Sequence, residues 1–286
     1  MSNSTRQPIT PALRDWIIEQ ARAGHRPEAV LEAMKASGWR EEVALEAMET
    51  VLGTMLREHA AAAIVPPPAR VPEPALAGAP ATLWAHDREV QVVMTLQEPR
   101  VVVFSGLLDD AECDEIIALA SERLARSHTV DTATGDSEVN AARTSDGMFF
   151  ARGEFPVCAR LEARIAALVN WPVENGEGLQ VLRYRPGAEY KPHYDYFDPE
   201  QPGTPVILQR GGQRVATVVV YLNTPQRGGS TTFPDVKLEV APVRGNAVFF
   251  SYDRPHPSTR SLHGGAPVLE GEKWITTKWL RERTFA

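Results

Sequence analysis

Apolar residues recur at steps of three and four along the first part of the chain. Ile17, Ile18 and Ala21 make one step, Val30, Leu31 and Met34 another, and Val43, Leu45 and Met48 a third that runs on through Val51, Leu52, Met55 and Leu56. Such spacing belongs to amphipathic helices. Gly24 and Gly38 stand where helices would end, and Pro27 suits the first turn of the next one. The pattern predicts three short helices between residues 9 and about 62, which makes residues 1–60 a small helical bundle. Residues 61–82 are rich in Ala and Pro, cannot form a packed core, and read as an extended linker.

From Leu83 the period changes. Val90 to Phe104 reads as strands broken at Glu98-Pro99. A helix is predicted from Leu107, with Asp109 as its N-cap and Ile116, Leu119 and Ala120 on one face. Residues 127–147 are polar and read as a loop or hairpin; residues 154–168 return to helical spacing through Val157, Leu161, Ile165 and Leu168. After Trp171-Pro172 come short strands between Gly- and Pro-rich turns: Leu179–Tyr184, Val215–Leu222, Ala247–Tyr252 and Trp274–Trp279. Many short strands of this kind predict a sandwich or jelly roll rather than alternating β-α units. Neither a dinucleotide fingerprint nor a phosphate-binding loop sequence is present.

Composition narrows the class. With 43% hydrophobic and 23% charged residues the chain has ordinary globular make-up, and a net charge of −7 argues against a nucleic-acid partner. Cys113 and Cys158 form no Cys-x-x-Cys pair, which fits two structural thiols in a reducing compartment. No apolar run reaches the roughly 18 residues of a membrane span. The N-terminus lacks an apolar signal region, so a cytoplasmic protein is expected.

The chemistry concentrates in two stretches. In Tyr190-Lys-Pro-His-Tyr-Asp-Tyr-Phe197, His193 and Asp195 stand two apart, so on a strand they face the same way. A third ligand can return from elsewhere, and His263 and His256 both lie late in the chain. His256 sits between Pro255 and Pro257, which suits an extended surface loop. Two imidazoles and one carboxylate on one face form the facial set of non-haem Fe(II) oxygenases.

Five strings, in order, carry a resemblance: Leu179 to Phe197, Arg214 to Asn223, Gly228 to Pro234, Gly245 to Phe250, and Ser261 to Val268 followed by Gly271 to Trp274. With them residues 88–282 resemble the catalytic domain of the prolyl 4-hydroxylases, within the 2-oxoglutarate- and Fe(II)-dependent dioxygenases. The resemblance implies an α+β architecture, a double-stranded β-helix (jelly roll) with packing helices, over a catalytic domain at residues 83–286. It implies His193, Asp195 and His263 as iron ligands, and Lys273, ten residues after His263, as partner of the far carboxylate of 2-oxoglutarate. Tyr184 and Thr277 are implied at the same cosubstrate, and Tyr190, Arg214 and Trp279 at the peptide substrate. The implied reaction hydroxylates a prolyl residue at C4 in a protein or peptide and converts 2-oxoglutarate to succinate and CO2. Hydroxylation of a free amino acid or a non-prolyl side chain stays open as the alternative, and so does a need for ascorbate.

The family often has Cys where Ala266 stands, a position that is not a ligand. Lys191 and Lys278 have the parity opposite to the site and are expected in solvent, while the stretches 127–147 and 198–213 are candidate lids. In the first segment, Gly24-x-x-Pro27-Glu28-x-Val30 with Ser37-Gly38-Trp39 loosely resembles a three-helix bundle of the ubiquitin-associated type. A plain helical appendage suits the same residues.

Overall fold

The computed structural model describes residues 9–23, 25–63, 65–126, 129–130, 137–138 and 144–286. The chain divides into two compact units, Met1–Val65 and Pro66–Ala286.

The first unit is three helices: α1 (Pro11–Arg22), α2 (Pro27–Ala36) and α3 (Glu41–Ala63). Thr10 caps α1 by accepting a hydrogen bond from the Leu13 backbone N–H at 3.2 Å, ahead of Pro11 in the first turn. Ile17, Val30, Met34, Ala44, Ala47, Met48 and Val51 form its core. Leu45, grouped by spacing with the apolar stripe, is instead 47% exposed, while Ala44 and Ala47 are fully buried. Two small side chains let the helices approach closely and leave no room for a leucine between them.

The Ala/Pro-rich run expected as an extended linker belongs, from Pro66 onward, to the second unit. The Ala69 N–H donates to the Asp253 carbonyl at 2.7 Å and the Glu73 N–H to the Val169 carbonyl at 2.9 Å. Pro72 and Pro74 are buried. A proline-rich extended segment has few N–H groups to satisfy, so it can lie across a surface as a strap.

Nine antiparallel strands form the large sheet of the second unit. Their spatial order is Thr82–Ala85, Arg88–Leu96, Arg100–Ser105, Ala247–Ser251, Arg214–Tyr221, Lys273–Arg281, Leu179–Tyr184, Asp146–Phe150 and Ala125–Arg126. Leu238–Val240, Thr231–Phe233, His263–Gly265 and Tyr190–His193 make a smaller sheet. Helices α4 (Asp110–Ser121) and α5 (Pro156–Leu168) cover one face of the large sheet, and the small sheet covers the other. Asp109 caps α4 as expected, in a capping box with Glu112. The two central strands, Arg214–Tyr221 and Lys273–Arg281, are buried along their whole length because both faces are covered. This is the jelly roll with helices on one side.

Parity therefore sorts side chains between two interiors rather than between core and water. Lys278, expected in solvent, is 2% exposed under the helices, where its ammonium meets the Glu162 carboxylate at 2.5 Å. Lys191 is exposed. The stretch 198–213 is no plain loop: it contains the short helix α6 (Thr204–Gln209). The polar stretch 127–147 lies mostly outside the described residues; within it Thr129–Val130 pairs with Ser137–Glu138. Cys113 and Cys158 are buried free thiols, each pushed up to about 11 by burial. Among the described residues no helix is long and apolar enough to cross a membrane.

Candidate metal centre and cosubstrate pocket

Strand pairing builds the metal corner. His193 ends one strand of the small sheet and His263 begins another, and the two stand directly opposite each other. Their ring centroids are 4.4 Å apart. Asp195 follows in a bend just past the strand end, so only His193 of the pair lies in regular strand. Its carboxylate reaches His193 Nε2 at 3.6 Å and His263 Nε2 at 3.4 Å. One ligand atom from each of the three lies within 4.8 Å of the others.

The imidazoles are oriented from behind. Nδ1 of His193 lies 2.9 Å from the Lys191 carbonyl, and Nδ1 of His263 lies 2.9 Å from the Ser261 carbonyl. An Nδ1–H donated to a carbonyl leaves the Nε2 lone pair facing the corner, which is what a metal requires. The Thr217 hydroxyl donates to Asp195 Oδ2 at 2.6 Å and is itself 2.9 Å from the Tyr252 hydroxyl. The segment carrying Asp195 is held as well. Gln213 accepts from the Phe197 N–H at 2.8 Å and donates to the Phe197 carbonyl at 2.7 Å.

Burial presses the Asp195 carboxyl upward, but the flanking imidazoles prevail and hold it well below the usual carboxylate range. Burial, then the neighbouring His263, lowers His193 and favours the neutral ring. An ionised Asp195 beside a neutral His193 ring suits a divalent cation.

The large sheet supplies the other wall. Lys273, Ile275, Thr277 and Trp279 alternate along one strand and all line the same cavity as the metal corner. Tyr184 stands opposite Lys273, and Gln180 opposite Thr277, on the neighbouring strand. Lys273 is 3% exposed, and burial pulls its ammonium down to about 8. No carboxylate among the described residues pairs with it; its neighbours are the rings of Tyr184 and Tyr221, at 5.5 and 5.8 Å from the ammonium. A buried cation without a counter-ion is a costly feature unless an anion arrives from outside. The donor set thus fits Fe(II), and the lone ammonium fits the far carboxylate of 2-oxoglutarate.

Of the nine residues expected at the site, eight line this cavity, the exception being Arg214. Tyr190 stacks on His193 with centroids 3.7 Å apart. Trp279 is 7% exposed, and among the described residues its indole N–H has no acceptor. The Arg214 guanidinium lies behind that indole, 3.9 Å from the ring centroid, and is engaged by Glu177. His256 stays outside the corner, its Nδ1 accepting from the Ser258 N–H at 3.0 Å. Sequence reasoning missed Thr217, Gln213 and Glu177. Thr217 left a signal, the one threonine inside the apolar run Val215–Leu222, where a buried polar group needs a partner.

Residues 179–281 match the family model described as the 2OG-Fe(II) oxygenase superfamily, the class that this jelly roll and its His-Asp-His corner define. The chain is 39% identical to "Prolyl 4-hydroxylase 2" of Arabidopsis thaliana over 68% of its own length and 71% of the relative's. It is 40% identical to "Prolyl 4-hydroxylase 5" of the same plant, covering 70% and 73% of the two chains. A solved structure of a viral collagen prolyl hydroxylase from Paramecium Bursaria Chlorella virus-1, a 2OG complex, superposes with a TM-score of 0.50 at 30% identity, over 63% of this chain and 95% of that one. The chain belongs to the prolyl 4-hydroxylase family of 2-oxoglutarate/Fe(II) dioxygenases.

Proposed function

We propose that the protein hydroxylates prolyl residues, at the 4-position, in a protein or peptide, with 2-oxoglutarate as cosubstrate. The observation that carries this reading is Lys273, a buried ammonium with no counter-ion among the described residues, in the cavity that also holds the His193, Asp195 and His263 donors. Iron held by those donors supplies dioxygen activation coupled to conversion of 2-oxoglutarate into succinate and CO2.

The chain's own residues bind, orient and shield. Lys273 neutralises the far carboxylate of the cosubstrate, and the apolar walls Leu182, Val219 and Ile275 strengthen that pairing by excluding water. Tyr184, opposite Lys273, offers a hydroxyl at that end of the cavity, and Thr277 offers another four residues further along the same strand as Lys273. Tyr190 and Trp279 form aromatic walls toward the substrate, and the indole N–H, which has no acceptor among the described residues, is a donor for a peptide carbonyl. The relatives named prolyl 4-hydroxylases support a prolyl substrate and the 4-position.

The test is a panel of proline-containing peptides incubated with enzyme, Fe(II) and 2-oxoglutarate, read for succinate and for the mass of one added oxygen on proline. Succinate formation with no proline peptide gaining oxygen would overturn the prolyl reading and leave the oxygenase. His193→Ala and Asp195→Ala are expected to abolish both signals. Full activity in either variant would sink the iron site.

A further inference from the structure

Glu177 is a buried carboxylate that no part of the proposed chemistry uses. It precedes Gly178 and the strand Leu179–Tyr184, and its side chain is 9% exposed. It accepts two parallel hydrogen bonds from Arg214, from Nε at 2.7 Å and from Nη2 at 2.9 Å. A third comes from Arg281 Nε at 2.6 Å. Its backbone is tied to the same region, since the Glu177 N–H donates to the Trp279 carbonyl at 3.0 Å and its carbonyl accepts from Lys278.

The consequence lies one layer further in. A bidentate pair fixes the plane of a guanidinium as well as its position. Arg214 so fixed presents its face to Trp279 at 3.9 Å and to Phe197 at 4.8 Å from the ring centroids. Trp279 walls the cavity and holds its indole N–H, 93% of the residue being out of solvent, with no acceptor among the described residues. The opposite end of the stack is anchored too, because Arg281, also paired with Glu177, lies 4.9 Å from Phe197 and donates from Nη1 to the Gly212 carbonyl at 2.6 Å. One carboxylate thus aligns two guanidiniums against the ring of Phe197 and one of them against the indole.

We infer that Glu177 is a positioning residue for substrate: by clamping Arg214 against Trp279 it sets the angle of the indole wall that receives the peptide. Arg214, on this reading, acts through Trp279 rather than by lining the cavity. A positioning group of this sort governs how well substrate is seated and has no contact with iron or cosubstrate. The inference rests on a peptide being the substrate, and the experiment separates the two.

The experiment uses the full-length protein with Fe(II) and 2-oxoglutarate and compares Glu177→Gln, Trp279→Ala and the double variant. Glu177→Gln is expected to raise the KM for a proline peptide about tenfold while moving the KM for 2-oxoglutarate less than about twofold. In the Trp279→Ala background it should add nothing, since residues acting through one contact are not additive. The Trp279 indole N–H resonance, assigned by its loss in Trp279→Ala, should shift in Glu177→Gln. That last signal needs no turnover, so it judges Glu177 even if no proline peptide is hydroxylated and the substrate reading falls. An unmoved indole resonance, or equal changes in both KM values, or additive effects in the double variant, would overturn the inference. If Glu177→Gln fails to fold, Glu177→Asp keeps the charge, withdraws the clamp by one methylene, and carries the same expectations.

Discussion

Lys273 shows how one side chain can be costly to the fold and necessary to the site. Its ammonium is buried and its affinity for a proton is drawn down from 10.5 to about 8 by burial alone. That difference corresponds to about 3 kcal/mol of cost to the ligand-free protein near neutral pH. The folded protein releases this proton before the unfolded chain does. The cost is therefore full below about pH 8 and is relieved as pH rises from there toward 10.5. Lys273→Met is expected to raise the KM for 2-oxoglutarate at least about a hundredfold while leaving thermal stability unchanged or higher. In the wild type, the KM for 2-oxoglutarate should be flat below about pH 8 and climb above it, as the binding form loses its charge. A flat profile to pH 10, measured at saturating iron, would contradict the role of this ammonium. Thr217 works at the same scale. Its hydroxyl donates to Asp195 Oδ2 and orients that carboxylate, so Thr217→Val should weaken Fe(II) affinity about 10- to 100-fold in an equilibrium binding titration.

At the scale of elements, the strand Lys273–Arg281 divides its labour by parity. Its odd-numbered residues Lys273, Ile275, Thr277 and Trp279 face the cavity. Its even-numbered Trp274 and Leu280 join the core under α4 and α5, where Lys278 meets Glu162. The alternation was legible from sequence, but a strand buried on both faces overturns the expectation that the second parity meets water. A side chain at Gly176 would collide with Lys278, which shows how closely this pair is enclosed. Lys278→Ala leaves Glu162 as a buried unpaired carboxylate and should destabilise the protein by about 3–5 kcal/mol in denaturant unfolding. The double change Lys278→Met with Glu162→Leu should recover most of that loss, since it removes both charges together.

At the scale of the whole molecule, every residue placed at the site comes from the unit Pro66–Ala286. A fragment of that unit should fold and keep its kcat/KM on a short proline peptide within about twofold of the full chain. The cut belongs at residue 65, not at the end of the Pro-rich run, because the strap from Pro66 is bonded to the second unit. A fragment starting at Leu83 would lose the bonds from Ala69 and Glu73 and is expected to melt at a lower temperature. Equal melting temperatures for the two fragments would show that the strap contributes nothing.

The sequence by itself determined the period of most elements and the cap at Asp109. These follow from local rules: the spacing of apolar residues decides helix or strand, and a side-chain carboxylate ahead of a helix caps it. Its ordered motifs also carried the family. What only the tertiary structure decided is which buried charges meet. Glu177 and Arg214 stand 37 residues apart in the chain, and Lys278 and Glu162 stand 116 apart. No periodicity connects them. Their pairing exists because both faces of the large sheet are covered, and charges enclosed there must find partners across the fold. Arg214 was visible in the sequence as a residue of the site; that it stands behind Trp279, held there by Glu177, was a matter of packing alone.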